Sequence, residues 1–203
     1  TASSCSSCAS GNPIGGFYGY NRIVSPSDAD YIVYNKDEFV ALFIRDDYNN
    51  QQIQPGDIVY VDDNAIIDLT GVWNIYVPSN VTIASGRGRG FSKGALIRNL
   101  QQVVDPYDSA REQFHTTGPG VRFTGLRFEG PDKSTQRVRH GEIYYQDPPR
   151  PDNLTGTYYE MGVNILFNSR YPYLEVDNCE LFGWSFAAVA LTYWDGDLPE
   201  SSS

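Results

Sequence analysis

Apolar residues recur along most of this chain with a period of two. From Gln54 onward, runs such as "GDIVYVDDNAIIDLTG", "WNIYVPSNVTIASGRGRG", "KGALIRNL" and "GVRFTGLRFEG" alternate apolar and polar positions and then break at Gly, Asn or Asp. Such runs predict many short β-strands. Between Tyr31 and Asp46 the pattern differs. Tyr31 to Tyr34 reads as a strand, Asn35 as a helix N-cap with Glu38 at the capping-box position, and Phe39, Leu42 and Phe43 fall on one helical face. This is the one substantial helix that the sequence predicts, over Lys36 to about Arg45.

The strand pattern also repeats. When "GVRFTGLRFEG" is laid on "YPYLEVDNCELFGW", Val121 falls on Leu174, Phe123 on Val176, Leu126 on Cys179 and Phe128 on Leu181, and the corner Thr124-Gly125 falls on Asp177-Asn178. Hairpin signals such as Asn-Gly are almost absent. A corner inside a strand pair needs a left-handed backbone, which Gly and Asn adopt at low cost. These features predict an all-β fold, a right-handed parallel β-helix with a short N-terminal capping helix, in which each coil lays down three short strands and inward residues stack as ladders. Cys179 is then a small buried hydrophobe. The two copies lie 53 residues apart, too far for one plain coil, so the Pro- and Tyr-rich segment 131–160 is expected as a long inserted loop. The expected organisation is an arm over 1–16, a strand-helix cap over 17–56, coils over 57–194 and a polar tail over 195–203.

Composition narrows the function. A chain of 203 residues that is 40% hydrophobic and 14% aromatic has the size of one domain and the means to fold. A net charge of -10 with few lysines disfavours nucleic acid as a partner. No apolar run is long enough to predict a membrane span. The chain opens at Thr1 rather than Met, from which a removed leader is expected. With sequons at Asn80 and Asn153, the expected location is secreted, extracellular or cell-surface. Cys5 and Cys8 are the candidate disulfide, or else part of a flexible arm. Zinc would need further ligands close by, whereas His115 and His140 are isolated.

Several stretches resemble a known family. "GGFYGYNRIV", "YIVYNKDEFVALF", "GDIVYVDDNAIIDLTG", "VPSNVTIASGRG" and "ALIRNL" follow the order of the N-terminal half of pectate lyase-like secreted proteins. The resemblance runs in order over residues 15–130, with the coil pattern continuing to 194. It implies the β-helix and its N-terminal cap. In that family, lyases hold calcium with aspartates on the middle coils and take the sugar proton with an Arg on a later coil. No residue here matches that Arg.

Candidate chemistry is expected along a groove over strands from "QFHTT", "GVNILFN" and "FAAVALTY". Alternation places Phe114, Val163, Ile165, Phe167, Val189 and Leu191 inside, and His115, Thr117, Asn164, Leu166, Ala188, Ala190 and Thr192 outside. Such a floor carries no carboxylate, whereas a glycosidase needs two and a calcium-assisted lyase needs a cluster. Glu160, Asp195 and Asp197 on the groove walls, with His115, are therefore the candidate catalytic groups. Asp195 and Asp197 form either a surface turn or a calcium site, which makes calcium the candidate cofactor. "SGRGRG" lacks the Lys-Ser/Thr ending of a phosphate loop and reads as a turn.

Arg137 and Arg139 offer contacts to an acidic glycan, or else belong to a solvated loop. Tyr144, Tyr145, Tyr158, Tyr159, Tyr193 and Trp194 exceed what an inward ladder can take, and aromatic faces of this kind meet sugars or other proteins. The expected function is binding or assembly, with a polysaccharide or neighbouring copies of the chain as partner. The alternative is a polysaccharide lyase or glycoside hydrolase acting on an acidic polysaccharide. A β-helix end leaves backbone groups unpaired, so the coil containing Val189 and Leu191 is expected to be covered by another subunit, by the arm 1–16 of a neighbour or by further residues of the same chain, and head-to-tail stacking of coil ends would build a homo-oligomer or fibre.

Overall fold

The computed structural model describes residues 22–43, 52–101, 111–131, 163–184 and 187–191. One α-helix lies among them, α1 (Lys36–Phe43). It starts where the capping box predicts: the Glu38 amide donates to Asn35 Oδ1 at 3.0 Å, and the Glu38 carboxylate reaches back to the Tyr34 amide at 2.8 Å. Phe39, Leu42 and Phe43 are its buried face.

The strands are β1 (Tyr31–Val33), β2 (Ile58–Val61), β3 (Ile66–Asp68), β4 (Ile75–Val77), β5 (Thr82–Ala84), β6 (Leu96–Arg98), β7 (Arg111–Thr116), β8 (Arg122–Thr124), β9 (Arg127–Glu129), β10 (Val163–Ser169), β11 (Glu175–Asp177), β12 (Glu180–Phe182) and β13 (Ala187–Leu191). They form three sheets: A in the order β1-β2-β5-β8-β11, B in the order β12-β9-β6-β3, and C in the order β13-β10-β7-β4. Every strand pair is parallel. From β2 onward the chain visits A, B and C in fixed rotation, so each strand pairs with the one three places earlier in the chain. The protein is thus predominantly β, and this rotation is consistent with the expected parallel β-helix.

Period-two patterning becomes three ladders of like residues. Val59, Ile83, Phe123 and Val176 are in register across sheet A. Ile67, Ile97, Phe128 and Leu181 are in register across sheet B, and Ile75, Phe114, Phe167 and Val189 across sheet C. Their buried members share one core. At its centre Phe114, Phe123, Phe128 and Phe167 pack ring against ring, with Phe123 and Phe167 centroids 4.2 Å apart. Burying each such ring contributes roughly 1.5–3 kcal/mol.

The repeated corner takes the backbone that the sequence demanded. Gly125 sits at φ 72° and Asn178 at φ 52°. A methyl group on Gly125 would lie 2.0 Å from the Ser85 carbonyl oxygen, so close approach as well as φ requires Gly there. Cys179 follows the second corner, packs against the core and donates weakly to the Phe123 carbonyl. Burial pushes its thiol up to about 12, which leaves it unreactive at neutral pH.

Two expectations about side-chain direction fail. Leu166, expected outside, is wholly buried in the core next to the buried Ile165 and Phe167, so alternation does not hold along this part of β10. Val189 and Leu191, expected inside, are 44% and 72% exposed on β13, which pairs on one side only among the described strands.

Candidate functional site

Sheet C carries a row of outward residues. Tyr76 of β4, His115 of β7, Asn168 of β10 and Ala190 of β13 are successive register partners. Glu112 joins them. Its Oε2 lies 2.5 Å from His115 Nδ1, and its Oε1 accepts from Asn168 Nδ2. Residues three apart on a regular strand would face opposite sides. Here the pairing with β10 shifts register between Val163 and Ile165, opposite Arg111 and Glu112; Gln113 and Phe114 are both buried, and Glu112 lies beside His115.

The expectation of a floor without a carboxylate is therefore wrong. The strand begins at Arg111, two residues earlier than the alternating pattern implied, and this brings Glu112 onto the sheet. Buried polar contacts hold the irregular segment in place: Asn99 Nδ2 donates to Gln113 Oε1 at 2.8 Å and to the Leu69 and Val72 carbonyls, and Gln113 Nε2 also donates to the Val72 carbonyl.

The Glu112 and His115 side chains are only 21% and 20% exposed. Burial pushes the Glu112 carboxyl up, but hydrogen bonds from His115 and Asn168 and the positive charge of His115 and Arg170 outweigh it, so the carboxyl is held below its ordinary value. An ionised carboxylate only accepts, so Nδ1 carries a ring proton and donates it to Glu112, and Nε2 is the ring nitrogen that Glu112 does not engage. The Tyr76 ring meets the imidazole edge-on, with centroids 5.4 Å apart.

Beyond Tyr76, at the β4 edge of this row, lies a cavity of about 210 Å³ between β4 and α1. Val40 and Phe43 of α1 line one side, and Trp73, Asn74 and Tyr76 line the other. The Asn74 amide also donates to the Glu112 carbonyl at 2.7 Å, so the cavity and the carboxylate-imidazole pair share both backbone and aromatic neighbours. Nothing in the alternating pattern marks Glu112, which lies just before the run that defines its strand.

Of the catalytic candidates, only His115 lies within the described residues. Glu160, Asp195 and Asp197 lie outside them, as do Tyr144, Tyr145, Tyr158, Tyr159, Tyr193, Trp194, Arg137, Arg139, Asn153, Cys5 and Cys8. Asn80 is exposed in the turn between β4 and β5, at φ 60°. Among the described residues no group of three or more His, Cys, Asp or Glu could hold a metal ion. Nor is any helix among them long and apolar enough to cross a membrane.

The aspartates near the first strands are corner residues. Asp57, Asp62 and Asp68 accept from amides two or three positions away, at Gln54, Asn64 and Thr70. Asp63 accepts from the buried Tyr60 hydroxyl and from Arg89, which ties the "SGRGRG" turn to β2. Comparison with protein-family models, with curated proteins and with solved structures finds no match.

Proposed function

We propose that the chain is a right-handed parallel β-helix of the pectate lyase-like kind, extracellular, whose role is to bind a glycan over sheet C. One observation carries this: a row of aromatic and hydrogen-bonding side chains, Tyr76, His115 and Glu112, with the buried Asn168 holding Glu112, adjoins a cavity lined by Trp73 and Tyr76. Sugars present apolar C–H faces and polar rims, and an aromatic wall beside a fixed carboxylate offers a partner to each. The interior ladders make the floor rigid, so little ordering is needed on binding. A glycan array probed with the full chain and with Tyr76→Ala tests the assignment. Signals that fall with the variant support it, and an array silent for both proteins overturns it.

A second reading, a lyase or hydrolase, is favoured by the 2.5 Å contact of Glu112 with His115, since a carboxylate-oriented imidazole is a general base. In that case His115 Nε2 takes the proton and Glu112 is its positioning residue. Lyase action releases an unsaturated, ultraviolet-absorbing sugar, and hydrolysis releases reducing ends. Absence of both products across polygalacturonate, alginate and neutral polysaccharides overturns this second reading.

A further inference from the structure

We propose that Asn80 is a modification site, taking an N-linked oligosaccharide on its side-chain nitrogen in a eukaryotic secretory pathway. Nothing in this depends on glycan binding over sheet C; only the extracellular setting is shared. The acceptor is written in the sequence. Asn80-Val81-Thr82 is one of two Asn-x-Ser/Thr sites in the chain, the other being Asn153-Leu154-Thr155, and neither has Pro in the middle.

The fold decides whether a sugar chain fits. Asn80 is exposed in the turn that joins β4 to β5, at the corner between sheets C and A. Its backbone is committed, with φ at 60° and the amide donating to the Pro119 carbonyl at 2.8 Å, which stacks this turn on the next. Its side chain is free of such ties. Asn35, Asn99, Asn168 and Asn178 each donate Nδ2 to an oxygen of the protein, whereas the Asn80 side chain makes no hydrogen bond among the described residues. Its Oδ1 lies toward Gly120 of the next turn, where an added methyl group would collide with it, so Nδ2 is the edge of the amide open to a substituent.

The left-handed turn explains an Asn at position 80 but not a Thr at position 82. Thr82 is half-buried on β5, with Ile58 and Arg122 as register partners, and its hydroxyl makes no hydrogen bond among the described residues. Val would serve the strand as well. In the transfer step Nδ2 attacks the anomeric carbon of a lipid-diphosphate-linked oligosaccharide. The new C–N bond replaces the C–O bond to phosphate, the lipid diphosphate leaves, and a base of the transferase takes one amide proton.

The test uses the full chain with Asn153→Gln, which leaves Asn80 as the one acceptor, expressed behind a signal peptide in a eukaryotic host and read by glycopeptide mass spectrometry. The peptide holding Asn80 is expected to carry an oligosaccharide that peptide N-glycosidase releases. Thr82→Val is expected to lower its occupancy at least tenfold, and Thr82→Ser to retain it. The transferase meets the chain during translocation, so these readouts do not need the variants to fold. Fit to the folded turn is measured separately: the urea midpoint of the glycosylated chain is expected to equal or exceed that of the unmodified chain made in bacteria. A bare Asn80 in both the secreted and the retained fractions, or occupancy that survives Thr82→Val, overturns the proposal. A glycan that lowers the midpoint overturns its placement in open solvent at this turn.

Discussion

Glu112 and His115 lie three residues apart on one β-strand, yet their side chains meet at 2.5 Å. A regular strand sends such residues to opposite faces. Their meeting marks a strand whose alternation is broken, and the break gathers the polar groups of the candidate site.

The pair gives folding a pH dependence with a definite sign. Glu112 titrates lower in the folded chain than in the unfolded one, because bonds from His115 and Asn168 outweigh the effect of burial. Its contribution to stability is therefore present above the unfolded-state value and is lost as the pH falls through the folded-state value. The stability gap between the native chain and Glu112→Gln, measured by urea unfolding, is expected to be widest near neutral pH and to close as the pH falls through and below the ordinary carboxylate range. A gap that stays constant over that range would contradict this account of Glu112.

A second expectation concerns the corner that the sequence writes twice. Gly125→Ala places a methyl group 2.0 Å from the Ser85 carbonyl oxygen at φ 72°. The left-handed backbone alone costs an L-residue about 1–2 kcal/mol, and the contact forces a backbone shift on top of it. The variant is expected to lose more than about 2 kcal/mol in chemical denaturation. Asn178→Gly, at the equivalent corner, relieves the same backbone cost and is expected to change stability by less than about 1 kcal/mol. Equal losses in the two variants would show that the corner conformation is not what selects these residues.

Ion pairs on the sheet faces divide by burial. Arg122 is 6% exposed, and its guanidinium bonds both Asp177 oxygens, at 2.8 and 3.0 Å, as well as the Arg22 carbonyl. Asp177→Ala removes the nearer of its two anions, leaving Glu175 Oε2 at 3.6 Å, and is expected to cost about 1.5–3 kcal/mol through the lost charged hydrogen bonds. Arg98 pairs with Asp68 at 2.8 Å, but the two side chains are 33% and 39% exposed, so Asp68→Ala is expected to cost about 1 kcal/mol or less through the ion pair. Thermal unfolding of both variants in low and high salt separates them, since salt should change only the second appreciably.

The fold was far more legible than the site. Ladders obey a period of two, and a chain that repeats "three alternating, corner, three alternating" displays its register directly; Phe123 above Val176 and Phe128 above Leu181 follow from that alone. The site depends on exceptions to the period. Leu166 reads as an outward residue by alternation, yet it is wholly buried beside an equally buried Phe167. Glu112 falls before the first clear alternating residue, so no pattern assigns it to a strand. Trp73 contributes through a cavity that needs α1 and β4 brought together, a contact between segments some thirty residues apart that neither local pattern encodes.

The three ladders end unevenly, and this leads to the expectation about assembly. Their first three members are buried, whereas the fourth are progressively uncovered: Val176 and Leu181 are half-buried, and Val189 is 44% exposed with Leu191 beyond it at 72%. Parallel strands are stable when both faces are covered and both edges paired, so the apolar edge formed by β11, β12 and β13 is a surface that a second copy of the chain would cover. Contact between one end and a different end of the neighbour is heterologous and does not close, so it extends. Multi-angle light scattering across a concentration series is expected to show mass rising with concentration, and Leu191→Lys, which places an exposed charge on that edge without touching the buried ladders, is expected to hold the chain near its monomer mass of 22.7 kDa. A native chain that stays monomeric at high concentration while the β13 amides resist hydrogen exchange would show that this edge is already covered within one molecule, and end stacking would then be wrong.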